Sequence, residues 1–266
     1  MLEKKSKIFC DSHFHVVNIP NFLSELQGFD SEYYGCSTAL FIDEWEKQLN
    51  ISLPSNIHLY SAFGLHPQSA GLINIDDNLS FLETLLSKEK ESNIKNKVWA
   101  IGEAGFDFFT EEFKNHKDEQ EKMFHGQIEL ALKYNKPLII HCRKANEKLF
   151  ENAKKLKKIP AVLFHSFMGS VTEAESLLKR GINGYFSFGK QMINNNKHVI
   201  ECVKKLPLEK LLAETDAPYQ TLKNQPYTKI NDIKTIYEAI CILQKQDETV
   251  IENKLLENFK ALLNIS

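Results

Sequence analysis

Two histidines separated by one residue, His13 and His15, are the first residues of this chain whose types and spacing could do chemistry. They follow a short apolar run at residues 8–10, which predicts a buried β-strand. Side chains alternate along a strand, so both imidazoles project from one face, where they can share a metal ion. Two solvated polar residues at a strand end would give the same pattern. The pair therefore indicates a metal site only if further ligands lie nearby.

Histidine and carboxylate side chains also follow most of the other apolar runs. Eight runs, dense in Val, Ile, Leu and Phe as strands buried on both faces should be, span residues 7–10, 36–41, 58–63, 98–101, 137–140, 161–164, 184–188 and 211–213. The ligand-type residues that follow six of them are His13, His15, His66, Glu103, Asp107, His141, His165 and Asp216. Core histidines or a solvated face would not recur at successive strand ends, so the sequence predicts a metal site.

The elements that must position these side chains alternate between strand and helix. Amphipathic patterns with a helical period lie at residues 42–54, 118–134, 149–156, 171–180, 199–206, 231–243 and 248–263. Ser170 and Glu173 form a capping box before one of them, whereas residues 18–35 fit no element. The alternation predicts an α/β fold, a TIM (β/α)8 barrel, whose functional groups gather at the carboxyl-terminal strand ends. No Pro-, Gly- or Ser-rich linker interrupts the chain, and we predict a single domain over residues 1–266.

The composition argues against several classes of protein. Lys and Arg number 33 and Asp and Glu 35, so the net charge of −2 does not mark the whole chain as a nucleic-acid binder, although a local basic patch stays possible. The five cysteines form no Cys-x-x-Cys pair, which argues against a disulfide framework or a zinc knuckle and favours a cytoplasmic location. No run approaches the roughly 18 apolar residues of a membrane span, and we expect no membrane partner.

The predicted ligands lie in six motifs that follow one another along the chain. They are Asp11-Ser-His-Phe-His15, Phe63-Gly-Leu-His-Pro67, Ala100-Ile-Gly-Glu-Ala-Gly-Phe-Asp107, Pro137-Leu-Ile-Ile-His-Cys-Arg-Lys-Ala145, His165-Ser-Phe-Met-Gly-Ser170 and Glu214-Thr-Asp-Ala-Pro-Tyr219. In this order, over residues 7–263, the motifs resemble the TatD family of metal-dependent deoxyribonucleases, a group within the amidohydrolase-like hydrolases. The resemblance implies the same barrel and a metal-dependent hydrolase.

The resemblance also implies two divalent ions per chain, Mg²⁺, Mn²⁺ or Zn²⁺. The ligands that it assigns are His13, His15, Glu103 and Asp216 for one ion and Glu103, His141 and His165 for the other. Glu103 would bridge the two ions, and Asp216 would act as general base toward an activated water, so both carboxylates are predicted to be catalytic. A salt-bridged rim carboxylate is the alternative for Glu103. The flanking Gly102 and Gly105 disfavour it, because they indicate a tight turn close to a metal site.

Three further residues are candidates for binding substrate or for orienting a metal-ligating side chain. Arg143 lies two residues after His141 and faces the same side, where a permanently charged guanidinium suits phosphate recognition. A salt bridge from Arg143 to Glu103 or Asp107 is its alternative. His66 either contacts substrate or is a structural rim histidine. We expect Asp107 to orient a metal ligand rather than to bind metal itself.

The function predicted from these residues is divalent-metal-dependent hydrolysis of DNA. The resemblance favours a 3′–5′ exonuclease that prefers single-stranded DNA and uses two metals to activate water. Hydrolysis of another ester or of an amide, such as deacylation of aminoacyl-tRNA, is the main alternative, because the same metals polarise a carbonyl equally well. A catalytically inactive binding protein is the third possibility, and the presence of every ligand disfavours it.

Some residues bear on the substrate rather than on the reaction. Phe14, Phe108 and Tyr219 are candidates for stacking on bases. Gln68 and the run Lys223-Asn224-Gln225-Pro226 depart from the family pattern, which often has a further histidine and Arg-Asn-Glu-Pro at these places. Neither departure changes a predicted metal ligand, but both bear on which substrate is bound. We expect no obligate protein partner and a monomer.

Overall fold

Eight parallel β-strands form the centre of the structure, a computed structural model that describes residues 6–89 and 97–265. Each strand pairs with the next one in chain order. The strands are β1 (Ile8–Phe14), β2 (Glu32–Ala39), β3 (Ile57–Phe63), β4 (Ala100–Asp107), β5 (Leu138–Arg143), β6 (Val162–Phe164), β7 (Gly184–Phe188) and β8 (Leu211–Ala213).

Hydrogen bonds between the end of β8 and β1 bring the sheet back on itself. The Asp216 N–H donates to the carbonyl of His13 at 3.0 Å, and the His15 N–H donates to the carbonyl of Ala217 at 2.8 Å. The Ser12 hydroxyl also donates to the carbonyl of Ala213 at 2.9 Å. The sheet is therefore a nearly closed barrel, and the predicted single-domain TIM (β/α)8 fold is confirmed.

Helices connect the strands and cover the outside of the barrel. They are α1 (Phe22–Gln27), α2 (Ile42–Leu49), α3 (Ile75–Ser87), α4 (Glu111–Asn115), α5 (Lys117–Tyr134), α6 (Asn146–Glu151), α7 (Ala153–Leu156), α8 (Val171–Lys179), α9 (Lys197–Lys205), α10 (Ile233–Gln244) and α11 (Glu248–Leu263). The predicted capping box is present, since Ser170 and Glu173 bond each other's backbone N–H groups at the start of α8. Residues 18–35, which the sequence pattern left unassigned, contain α1 and the first residues of β2.

The two ends of the barrel carry different kinds of residue. Asn258 of α11 donates to the carbonyls of Leu208 and Leu211, just where β8 begins, so α11 lies at the amino-terminal strand ends. Phe259 and Leu262 of α11 join a buried cluster with residues from most of the strands. The carboxyl-terminal ends carry the polar residues described below. Among the helices of the two described ranges, none has the length and apolarity needed to cross a membrane.

Three strands extend further than their apolar runs indicated. β1, β4 and β5 end at Phe14, Asp107 and Arg143, whereas the runs ended at residues 10, 101 and 140. His13 and Glu103 therefore lie inside strands rather than after them. A prediction from hydrophobicity alone misses the last residues of these strands, because their inward positions carry ligand-type side chains instead of apolar ones.

Candidate metal centre

Four predicted ligands from β1, β4 and the segment after β8 meet in one buried group. The Nε2 atoms of His13 and His15 lie 3.1 and 3.2 Å from Glu103 Oε1. The same two nitrogens lie 3.7 and 3.5 Å from Asp216 Oδ1. Two imidazole nitrogens and two carboxylate oxygens thus face one another, a donor set that suits a divalent cation.

The second carboxylate oxygen of Glu103 faces a different group of histidines. Glu103 Oε2 lies 2.7 Å from His165 Nε2 and 3.3 Å from His141 Nδ1. These two nitrogens are only 3.1 Å apart. One carboxylate therefore presents one oxygen to each of the two groups that the sequence predicted, as a bridging ligand would.

His66 also approaches Glu103, with Nε2 at 3.5 Å from Oε2. Its other nitrogen, Nδ1, accepts a hydrogen bond from the backbone N–H of Gln68 at 3.1 Å. Burial lowers the pKa of His66, so the ring is neutral and its single proton sits on Nε2. His66 therefore presents a hydrogen-bond donor toward the centre without a metal, and its Nε2 also belongs to a group with Glu103 and His141 that could hold an ion.

Thr38 at the end of β2 fixes the orientation of both leading histidines. His15 Nδ1 donates to the Thr38 carbonyl at 3.0 Å, and His13 Nδ1 lies 3.2 Å from Thr38 Oγ1. With the Nδ1 atoms engaged in this way, the Nε2 atoms point into the centre as metal ligands would. Thr38 was not predicted to belong to the site; its only signal in the sequence is a hydroxyl residue within the apolar run at residues 36–41.

Asp107 fixes the orientation of His141 in the same way. His141 Nε2 donates to Asp107 Oδ2 at 3.1 Å, which leaves Nδ1 facing Glu103. Gln68 Nε2 and the Phe109 N–H also donate to this carboxylate, at 2.7 and 2.9 Å. Burial raises the pKa of Asp107, but the hydrogen bonds from His141 and Gln68 outweigh it and bring the pKa to about 2. Gln68, which departs from the family pattern, thus contacts the carboxylate that orients the predicted ligand His141.

The centre contains a buried nitrogen that a cation would satisfy. His13 Nε2 is fully buried and has no hydrogen-bond partner within residues 6–89 and 97–265, although it faces the oxygens of Glu103 and Asp216. A buried polar atom without a partner is costly, and a metal ion between it and the two carboxylates removes that cost. The residues present therefore fit a divalent metal.

Without a metal ion, protons bound to histidines supply the positive charge that balances the carboxylates. Burial lowers the pKa of His15, but its hydrogen bonds to Asp216 and Glu103 prevail and raise the pKa to about 10. Burial raises the pKa of Glu103, yet the neighbouring His165 and His13 hold it well below its usual value. The carboxylates are ionised and at least one histidine is charged, which is the charge pattern that a cation would replace.

Two glycines allow β4 to pass close to β5. Gly102 and Gly105 have φ of +152° and +144°, and a Cβ on Gly105 would lie 2.0 Å from the carbonyl oxygen of His141. They lie within a strand, so the predicted tight turn is wrong. The register shift between Ile101 and Ala104 occurs in this stretch, and Glu103 points inward from it.

A buried carboxylate, Asp11, ties the first strand to the segment that carries Asp216. It accepts hydrogen bonds from the N–H and hydroxyl of Thr215 at 2.9 and 2.5 Å and from the Tyr33 hydroxyl at 2.9 Å. Burial raises its pKa to about 7. Asp11 belongs to the His13 motif, but no role was predicted for it, and a charged residue directly after an apolar run was the available signal.

A cavity of about 490 Å³ opens over the centre. Arg143 lines it and lies over the ring of Phe109, with its guanidinium carbon 3.5 Å from the ring centroid. Across the part of the chain that the structure describes, Arg143 forms no ion pair, so the salt bridge considered as an alternative is absent. Tyr219 also lines the cavity and is half-exposed.

The structure separates the three aromatic candidates for base stacking. Phe14 is fully buried against Tyr33, so the prediction for it is wrong. Alternation along β1 explains this, since Phe14 faces the opposite side from the two histidines that flank it. Phe108 packs on the core beside Phe106, whereas Tyr219 is accessible. Phe109, which the sequence analysis did not select, is 53% exposed.

Comparison with known proteins agrees with the geometry. The family model described as "TatD related DNase" matches residues 10–264. The uncharacterized metal-dependent hydrolase YabD of Bacillus subtilis (strain 168) is 34% identical over 217 residues, 78% of each chain. The 3′-5′ ssDNA/RNA exonuclease TatD of Escherichia fergusonii is 29% identical over 218 residues, 79% of each chain.

A solved structure gives the same result for the fold. The TatD homologue YjjV of Escherichia coli K12 superposes with a TM-score of 0.82 at 26% identity, covering 97% of this chain and 98% of its own. The agreement extends over nearly the whole barrel, including the strand ends that carry the centre. This chain therefore belongs to the TatD-related DNase family and is a metal-dependent hydrolase.

Proposed function

We propose that this protein is a two-metal phosphodiesterase that shortens single-stranded DNA from its 3′ end. The observation that supports this most is the bridging position of Glu103, whose two oxygens face separate sets of histidines. Centres with two divalent metals are typical of enzymes that displace an oxygen at phosphorus.

The proposed ligands are those that meet in the centre. They are His13, His15, Glu103 and Asp216 for one ion, and Glu103, His141 and His165 for the other. Divalent ions bound there would lower the pKa of a water and neutralise charge on the reacting phosphate. Mg²⁺, Mn²⁺ and Zn²⁺ are the candidates.

Asp216 is suited to receive a proton during the reaction. Burial raises its pKa, but the hydrogen bond from His15 and the charges of His13 and His165 hold the pKa below its usual value. The carboxylate is therefore ionised at neutral pH. Its Oδ1 atom faces the leading histidines, and its side chain lines the cavity. We propose Asp216 as the general base.

Arg143, His66 and the accessible aromatic rings are proposed to hold the nucleic acid. Stacking on Phe109 restrains the guanidinium of Arg143 and leaves its edge free for two parallel hydrogen bonds to a phosphate. The Nε2–H of His66 supplies a further donor. Phe109 and Tyr219 are both about half exposed and offer surfaces on which bases can stack.

The nucleic-acid substrate is proposed from the relatives and from the cavity. The Escherichia fergusonii relative is named as an exonuclease acting on single-stranded DNA and RNA. A cavity of about 490 Å³ is typical of small-molecule sites, and it suits the end of a single strand better than a duplex.

An oligonucleotide assay tests the proposal. Single strands labelled at the 5′ end are incubated with Mg²⁺, Mn²⁺ or Zn²⁺, with EDTA, and with the Asp216→Asn variant. We expect a ladder that shortens from the 3′ end and is absent with EDTA and in the variant. An intact oligonucleotide under all three metals, with hydrolysis of a model ester or amide instead, would contradict the proposal.

A further inference from the structure

Three polar side chains that the proposed function does not use meet beside Asp216. Ser166 follows β6, Gln191 follows β7 and Gln220 follows β8, and all three line the cavity. The side-chain N–H groups of both glutamines donate to the hydroxyl oxygen of Ser166. Three successive strand ends therefore contribute to one hydrogen-bonded group at the edge of the candidate metal centre.

The neighbours of the two amides determine which way each amide points. Gln191 Oε1 accepts the backbone N–H of Gly189 at 3.1 Å, which turns its Nε2 toward Ser166. Gln220 Nε2 also donates to Asp216 Oδ2 at 2.6 Å. A reversed Gln220 amide would place two acceptor oxygens against each other, which is unfavourable. Both glutamines are therefore donors to Ser166.

This arrangement leaves the hydroxyl proton of Ser166 available. A serine hydroxyl has one proton and two acceptor lone pairs, and two amide donors occupy both lone pairs. None of the hydrogen bonds that Ser166 makes within residues 6–89 and 97–265 uses its own proton. Ser166 adjoins the predicted ligand His165 and lines the cavity. Its hydroxyl is thus oriented as a donor to a molecule in that cavity.

The backbone around these residues adopts an unusual conformation and is tied to neighbouring segments by hydrogen bonds. Ser166 and Gln220 have φ of +50° and +53°, in the left-handed region that residues other than glycine rarely adopt. Lys190, the neighbour of Gln191, is buried and donates to the Thr228 hydroxyl at 2.9 Å and to Asp232 at 2.5 Å. Lys190 therefore joins the loop after β7 to the segment after β8.

We propose that Ser166 donates a hydrogen bond to a non-bridging oxygen of the reacting phosphate, with Gln191 and Gln220 as positioning residues. The donor adjoins His165 in the chain, is linked to Asp216 through Gln220, and lines the same cavity as both, where a reacting phosphate would bind. An anionic oxygen is the acceptor that best matches a hydroxyl whose lone pairs are both occupied. This inference rests on the proposed function for the identity of its ligand.

Binding of inorganic phosphate to the Mn²⁺-loaded protein tests the assignment by calorimetry. Ser166→Ala should raise the dissociation constant of phosphate about tenfold, as the loss of one hydrogen bond to a charged group does. Ser166→Cys keeps a weaker donor on an unbranched side chain that tolerates this φ no worse than serine, and it should lose less affinity than Ser166→Ala. Ser24→Ala, an exposed serine on α1 outside the cavity, serves as the matched control. The Mn²⁺ stoichiometry should be the same in all four proteins.

A double-mutant cycle separates positioning from a structural effect. Gln191→Leu should weaken phosphate binding severalfold in the wild-type background and have no further effect in Ser166→Ala, because Gln191 acts only through the serine. Equal weakening in both backgrounds would overturn the positioning role. Phosphate binding by Ser166→Ala as tight as by Ser24→Ala, or no phosphate binding by the wild type, would overturn the donor role.

An assay of oligonucleotide cleavage distinguishes a failure of this inference from a failure of the proposed function. If the wild type cleaves DNA and Ser166→Ala is unaffected in both cleavage and phosphate binding, the donor assignment is wrong and the nuclease assignment stands. If the wild type leaves DNA intact while Ser166→Ala loses phosphate affinity, the nuclease assignment is wrong and the donor assignment stands.

Discussion

His141 donates from Nε2 to Asp107 Oδ2 at 3.1 Å and thereby turns its other ring nitrogen toward Glu103. This pair joins the end of β5 to the end of β4 and links a predicted metal ligand to a carboxylate that holds no metal in our assignment. Its electrostatics give the centre a measurable pH signature in the metal-free protein.

Asp107→Asn should destabilise the metal-free protein most between about pH 4 and 6.5. The pKa of Asp107 is lowered from 3.8 to about 2, so its stabilisation is complete above 3.8 and is lost as the pH falls through 2. The pKa of His141 is raised from 6.5, so its stabilisation is complete below 6.5 and is lost as the pH rises through the folded value. Thermal melts in EDTA should show a difference of roughly 2–4 °C inside this window. A difference that is the same at every pH would contradict the ion pair.

Metal binding should release protons and become tighter as the pH rises from 6 to 9. For His15 and His165, burial lowers the pKa, but interactions with Glu103 and, for His15, Asp216 raise it above 6.5, to about 10 for His15. Both rings are therefore protonated in the metal-free protein at neutral pH and must lose those protons to bind metal. Calorimetry in buffers with different ionisation enthalpies should show the release of at least one proton per chain. A binding enthalpy that does not depend on the buffer would refute this.

Arg143→Gln should raise the KM for an oligonucleotide at least tenfold with a smaller effect on kcat, because a charged hydrogen bond to phosphate outside the reacting group is lost. The chain offers a matched control, since Arg143 and Arg180 are its two arginines and both lie over phenylalanine rings, Phe109 and Phe150. Arg180 is on the surface at the end of α8. Steady-state kinetics should leave Arg180→Gln unchanged; equal effects in both variants would argue against a specific phosphate contact.

Gly105→Ala should destabilise the fold by at least about 2 kcal/mol. Its φ of +144° is unfavourable for alanine, and the added Cβ would meet the His141 carbonyl at 2.0 Å. Denaturant unfolding measures the loss. Gly181→Ala is the control, because its φ of +83° is also positive but the nearest atom lies 3.2 Å away on the flexible side chain of Lys157. If the two variants lose the same stability, backbone conformation rather than the contact with β5 explains the requirement for glycine.

The sequence was sufficient for the architecture and for the residues that converge in the centre. Strands buried on both faces leave continuous apolar runs, and β7 and β8 were predicted with their observed bounds. The candidate ligands could be selected because a barrel brings the ends of all its strands to one rim. His13 and Asp216 are 203 positions apart in the chain, yet their strands are neighbours in the barrel.

The supporting residues could not be predicted in the same way. Thr38 and Ser166 act through contacts between different strands, and a lone hydroxyl residue gives no signal of such a contact. Phe109 was missed because its role depends on the path of the chain after β4, which brings it under Arg143. Asp11 was assigned no role because its three hydrogen-bonding groups come from β2 and from the segment after β8, far away in the sequence.

Electron paramagnetic resonance of the Mn²⁺-loaded protein tests the central claim most directly, namely that Glu103 joins two metals in one site. We expect two Mn²⁺ ions per chain with the exchange-coupled signal of a bridged pair, and loss of that coupling in Glu103→Gln. A single Mn²⁺ per chain, or two ions whose signals are uncoupled in the wild type, would contradict it.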